Sequence, residues 1–317
     1  MANQLTDTGF QEWVKRQWNT PPIQKTEFLG ESPSRVLRLV FADDSVGFVK
    51  RMESEERLER ILRIHNALRD HGVRAADILR TEIGHWHAVK EGEIYILARE
   101  LRGVIHSELH PRLAAPYGRG IARLHSALLS VDLDSRSPRM DLAQQLRDWA
   151  MPGTRQAAER LGLAEECGAF TDIMDSVGIP LMERLPRQWI HRDPHPGNMV
   201  YAEDGEVGFL DFDLSVTGIR LFDFAYLCTS QWLAAYSDSR HQEGWLELIR
   251  ALRQGYEEES VLTSEERAGA FYVLCAIQMI FVAFWQSQRK EDLTIINFQA
   301  LLELIRLKTK IDGAFGT

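Results

Sequence analysis

The sequence predicts an α+β protein in two parts: a small strand-rich N-terminal lobe carrying one helix, and a larger, mostly helical C-terminal lobe. Three observations lead there. Between about Lys25 and Arg102, short β-patterned runs are broken by turn residues. After Gly103, apolar residues recur at helical spacing over long stretches. The texture changes once, near residues 98–104, which sets the lobes at 1–102 and 103–317 with a ligand cleft expected between them.

In order along the chain, LRLVFADDSVGFVKR holds two strand-like runs meeting at Asp43-Asp44, a hairpin. In ESEERLERILRIHNALRDHG, the residues Leu58, Ile61, Leu62, His65 and Leu68 form one helical stripe, and Gly72 supplies the stop. HWHAVKEGEIYILAREL adds two strands about its EGE turn. Helical patterns then follow in PYGRGIARLHSAL, around DLAQQLRDWA, in WLELIRALRQGYEEE, from Ala270 to Trp285 and in FQALLELIRLKTK, with one short β segment near residue 200. Thr263 and Glu266 are spaced as a capping box. The Ala270 to Trp285 stretch is the most apolar of the chain. Interrupted by Gln278 and shorter than the roughly 20 residues of a membrane span, it is expected to be a buried helix.

Composition excludes several classes. A formal charge of −9 argues against a nucleic-acid partner, which needs a basic face, and against a polybasic membrane anchor. Residues 1–102 hold as many basic as acidic side chains, so the whole excess lies in the helical lobe, where it would favour a cationic small molecule. Cys167, Cys228 and Cys275 are scattered and form no CxxC pair, which suits a reducing compartment. The N-terminal residues show no secretory pattern, and a cytoplasmic location is expected.

The chemistry is concentrated in WIHRDPHPGNMVYAEDGEVGFLDFDLSVTGIRLFDFAYL, from Trp189 to Leu227. Asp193 and Asn198 lie five apart in a loop that Pro194, Pro196 and Gly197 keep from being helical. MVYAEDGEVGFLDFD reads as a hairpin turning at residues 203–206. Asn198 precedes its first strand and Asp211 follows its second, so the two become neighbours in space. Few, hard oxygen ligands are what Mg²⁺ accepts beside phosphate oxygens and water. Asp193 is then left to orient a substrate hydroxyl and take its proton. His191 and His195 are four apart, but the prolines forbid the helix that would pair them on a metal, and they read as struts for the loop.

HRDPHPGN followed by LDFD resembles the catalytic loop and metal-binding segment of the aminoglycoside phosphotransferase and choline kinase-like families, which share the protein-kinase-like fold. The resemblance implies a kinase that uses ATP and Mg²⁺ and phosphorylates the hydroxyl of a small molecule. Asp193 would be the catalytic residue, and Asn198 and Asp211 the metal ligands. Asp223, in LFDFAYL, matches an aspartate that braces the loop, with His191 and Asp213 as further supporting residues. YGRGIARLHSAL resembles the helix preceding the loop. Two positions depart from the pattern: Arg192 stands where these kinases usually carry Gly, and Pro194 replaces a larger apolar residue.

In the N-terminal lobe, Lys50 ends the strand VGFVK ahead of a Glu-rich helix, the order of the phosphate-binding lysine and its glutamate partner. Glu59 is taken as that partner, with Glu55 on the same flank as the alternative. The nucleotide loop falls in FLGESPSRV, which supplies Gly30 and Ser34. LSVTGIRLF is all that separates Asp213 from Asp223, too little for a long activation segment, and this points to a small-molecule acceptor. A non-catalytic pseudokinase and a stress-response-type protein kinase are the two other readings of the same loop. The sequence does not name the acceptor.

Overall fold

The computed structural model describes residues 8–29, 36–132 and 137–317, so Gly30 and Ser34 lie outside the described residues. The chain divides after Gly103 into two compact units.

The N-terminal unit is a five-stranded antiparallel sheet with two helices. Strands β1 (Ile23–Leu29), β2 (Val36–Phe41), β3 (Val46–Met52), β4 (Ala88–Lys90) and β5 (Glu93–Arg99) are ordered β1-β2-β3-β5-β4. Helix α1 (Thr8–Trp18) precedes them and is absent from the sequence reading. Its signal is nonetheless present: Phe10, Trp13, Val14 and Trp18 recur at helical spacing and are buried on Leu37, Leu39, Val49 and Leu97. The Phe10 and Trp13 rings meet Tyr95 at 5.4 and 5.5 Å, tilted edge to face. Helix α2 (Glu55–Asp70) starts at Ser54, whose hydroxyl accepts from the Arg57 N–H at 3.2 Å. It lays Leu58 and Ile61 on Met52 and Ile96. Lys50 pairs with Ile96 across β3 and β5, so it shares the face of the sheet that α2 covers.

In the C-terminal unit, α3 (Pro111–Leu128) crosses α7 (Ser239–Glu257) backbone to backbone. A Cβ on Gly118 would fall 1.9 Å from the Leu252 carbonyl oxygen, and one on Gly255 would fall 1.9 Å from that of Ala115. Only glycine permits this approach. Arg119 and Arg123 bind Glu258 and Glu259 beside the crossing.

Helices α4 (142–161) and α5 (164–183) each contain a π-helical turn, Leu146–Ala150 and Met174–Gly178. Each turn ends two residues before a proline, Pro152 or Pro180. Proline has no N–H for the carbonyl four residues back, and the widened turn absorbs the mismatch.

Helix α6 spans Leu221–Ser230, and α8 (Ser264–Ser287), α9 (Glu291–Arg306) and α10 (Lys308–Phe315) complete the unit. The capping box at Thr263 and Glu266 is formed, and Glu266 also receives Arg220 through two bonds of 2.6 Å. By length and composition α8 could cross a membrane, being longer than the sequence pattern indicated. Here every residue from Gly269 to Met279 is buried, against α4, α6, α9 and α10. The polar interruption, Gln278, donates to the backbone and side-chain oxygens of Asn297 at 3.0 and 2.9 Å, so no buried amide hydrogen is wasted. All three cysteines are buried, and burial raises their thiol pKa values, that of Cys167 to about 11 and those of Cys228 and Cys275 further.

Near residue 200 there are two short ladders, the hairpin that the sequence indicated and a second one. β6 (Arg187–Ile190) pairs with β9 (Val216–Ile219), and β7 (Met199–Tyr201) pairs with β8 (Val207–Phe209), all antiparallel.

Candidate active site

The site is built where these two ladders meet. Residues 191–198 form the loop from β6 to β7, and Asp211 lies on the segment from β8 to β9. Met199 faces Phe209 in the β7–β8 register, and the Leu210 N–H donates to the Asn198 carbonyl at 2.9 Å, one step beyond the ladder. This places Asn198 and Asp211 together at the open end of the hairpin. Asp211 is exposed and has φ of 54°, a left-handed conformation in which aspartate is among the better-tolerated residues.

Asp223 organises the loop from beneath. Fully buried on α6, its carboxylate accepts the His191 N–H at 2.7 Å and the Arg192 N–H at 2.8 Å. It also faces His125 Nε2, on α3, at 3.3 Å. His125 Nδ1 lies 3.0 Å from the Tyr256 hydroxyl, so a single tautomer serves both bonds, Nε2–H donating to Asp223 and Nδ1 accepting from Tyr256. Burial pushes the Tyr256 phenol up to about 12, which keeps it a donor. His191 is buried too. Its Nε2 donates to the Leu210 carbonyl at 2.8 Å, its Nδ1 meets the Asp193 N–H at 3.4 Å, and its ring centre is 4.7 Å from that of Phe212. One imidazole thus ties the loop to the far end of the hairpin.

Asp193 is held from the side. The Asn198 amide donates to its carboxylate oxygen at 3.2 Å and to its backbone carbonyl at 3.0 Å. His195 Nε2 stands 3.8 Å from the same carboxylate, while its Nδ1 accepts the Gly197 N–H. Tyr226, one turn beyond Asp223 on α6, lies close enough to Asp193 to feel its charge. Burial first, and the Asp193 charge second, raise its phenol pKa. Chemically, the arrangement is a partly exposed carboxylate on a fixed loop, able to accept a proton. With the Asn198 amide hydrogens spent on Asp193, the oxygen of that amide remains to meet a cation beside Asp211. Two hard oxygens suit Mg²⁺, which keeps its other positions for water and phosphate. The Asp213 N–H makes a long contact of 3.4 Å to Asp211.

His125, Tyr226 and Tyr256 are site residues that the sequence reading missed. Tyr226 had a local signal, lying three residues after Asp223 and therefore on the same helix face. His125 is a polar residue on an apolar helix stripe, and its partners come from distant segments.

In the N-terminal unit the structure does not bring Glu59 to Lys50. Glu59 and Glu55 are exposed, and neither pairs with Lys50 among the described residues. The helix itself explains why. Leu58 and Ile61 fix its inward face, and Glu59 turns outward with Arg63 and Asn66. On α2, His65 lies close enough to Lys50 to feel its charge. Burial pushes its pKa down to about 4, with the Lys50 charge adding to the shift and Asp77 opposing it.

Comparison with known proteins gives a consistent result. A family model described as a phosphotransferase enzyme family matches residues 26–268. A homoserine kinase of Gluconacetobacter diazotrophicus is 26% identical over 246 residues, 75% of this chain and 72% of that protein. An aminoglycoside phosphotransferase structure from Alicyclobacillus acidocaldarius superposes with a TM-score of 0.72 at 14% identity, covering 95% of each chain. The amicoumacin kinase hAmiN, solved with AMP-PNP, Ca²⁺ and its antibiotic, gives 0.68 at 16% identity, covering 99% of this chain and 96% of that one. The likeness shows the protein-kinase-like fold.

Proposed function

The chain belongs to the phosphotransferase enzyme family and is a small-molecule kinase with a hydroxyl acceptor, and we propose that it transfers the γ-phosphoryl group of ATP, with Mg²⁺, to a small amine-bearing molecule. The observation that carries this reading is the Asn198 amide on the Asp193 carboxylate, at the end of the hairpin that also carries Asp211. Asp193 accepts a hydrogen bond from the acceptor hydroxyl and takes its proton as the new O–P bond forms and the γ-phosphorus leaves its bridging oxygen. Asn198 and Asp211 would hold Mg²⁺, which when bound neutralises charge on the phosphate oxygens. Lys50 would meet the nucleotide phosphates. Support for an amine on the acceptor comes from the acidic excess of residues 103–317 and from relatives named for homoserine and aminoglycosides.

The test is ADP release from Mg-ATP across a panel of hydroxylated amines. Turnover that Asp193→Ala abolishes, while ATP still raises the melting temperature in the presence of Mg²⁺, supports the reading. Absence of both ADP release and Mg-dependent stabilisation by ATP overturns it.

A further inference from the structure

Arg192 is out of place by backbone chemistry. Its φ is 73°, in the left-handed region that costs a side chain roughly 1 kcal/mol or more and costs glycine almost nothing. The loop does not need a side chain here: the bond that braces this position runs from the Arg192 backbone N–H to Asp223, and glycine would make it equally well. The strain is therefore kept for the guanidinium.

That side chain, on the residue before Asp193, lines a hollow of about 560 Å³ within the C-terminal unit. Arg139 lines the same hollow, and among the described residues neither guanidinium is engaged in an ion pair. Two carboxylates complete the wall. Asp141 is tied to its helix, accepting the Gln144 N–H at 3.0 Å, whereas Asp148 sits exposed in the π turn Leu146–Ala150. Wide turns of this kind recur at ligand sites, where they redirect a side chain.

Two unpaired guanidiniums in one hollow are a carboxylate receptor, because their forked donors match its two oxygens. A polycation would meet the same pair as repulsion. We infer that this hollow is the acceptor subsite and reads a zwitterion: Arg192 and Arg139 bind a carboxylate and Asp148 binds an ammonium, so the acceptor is a small hydroxy-amino acid. The inference deepens the kinase reading above and rests on it.

The test uses matched pairs that differ only by the carboxylate: L-homoserine against 3-amino-1-propanol, and L-serine against ethanolamine, with kanamycin as the polycation. With Mg-ATP, the full chain is expected to favour the carboxylate-bearing member of a pair by about tenfold or more in kcat/KM, the scale of a charged hydrogen bond. Arg192→Gly, which suits the backbone and should fold, is expected to erase most of that preference through KM. Arg139→Gln should do the same, and Arg192→Lys should retain part of it. Equal use of both members, a preference for kanamycin, or an Arg192→Gly loss that is the same for both members overturns the inference while leaving the kinase reading intact. No ADP release with any acceptor, together with no stabilisation by Mg-ATP, overturns both.

Discussion

The Asn198 amide donates to the Asp193 carboxylate at 3.2 Å, so the residue proposed to hold the metal also aims the residue proposed to take the proton. Asn198→Ala is expected to affect both roles at once. In steady-state kinetics kcat should fall by about 100-fold or more and the Mg²⁺ concentration for half-maximal rate should rise. A rate loss with an unchanged Mg²⁺ requirement would remove Asn198 from the metal.

Asp223 is fully buried and accepts two consecutive backbone N–H groups as well as His125. Asp223→Ala leaves these donors without an acceptor, at about 1–3 kcal/mol each. Urea denaturation should show a loss of about 3 kcal/mol or more, with turnover gone because the loop carrying Asp193 is no longer braced. Asp223→Asn keeps one acceptor oxygen and should fall between the two.

At the α3–α7 crossing, Gly255→Ala would drive a methyl to 1.9 Å from the Ala115 carbonyl oxygen, and neither backbone can yield without separating the helices. A destabilisation of about 3 kcal/mol is expected, at the upper end for overpacking. Gly168→Ala, where nothing lies within 4 Å of the added methyl, is the control and should be neutral or slightly stabilising in the same thermal melt.

His65 gives the N-terminal unit a pH dependence of defined sign. Its folded pKa, about 4, lies below the ordinary histidine value, so between these limits the unfolded chain binds a proton that the folded chain does not. This contribution is fully present above about pH 6.5 and is lost as pH falls toward 4, by at most about 3 kcal/mol. Melting curves of His65→Gln from pH 4.5 to 7.5 should be flatter than those of the parent. A parallel pair of curves would assign the acid sensitivity elsewhere.

How far the sequence could be read depended on how local each signal was. HRDPHPGN and the hairpin after it are a few residues apart, and turn chemistry with strand alternation is enough to bring Asn198 and Asp211 together. The protein-kinase-like fold followed from this one segment. The β6–β9 ladder was not legible: four-residue strands separated by a second hairpin carry almost no periodicity of their own. That Glu59 stands on the outward side of its helix was not legible from order along the chain, because the helix face is fixed by Leu58 and Ile61. The His125–Asp223–Tyr256 chain joins α3, α6 and α7, and no spacing in one segment announces such a contact.

The burial of the three cysteines turns the protein into its own stopwatch. All three lie after residue 103, so a thiol-reactive dye added to the folded protein can react only when the C-terminal unit opens, while breathing of the N-terminal sheet stays silent. The labelling rate therefore times the helical unit alone, and a bound acceptor or nucleotide that closes that unit should slow the clock without any engineered probe.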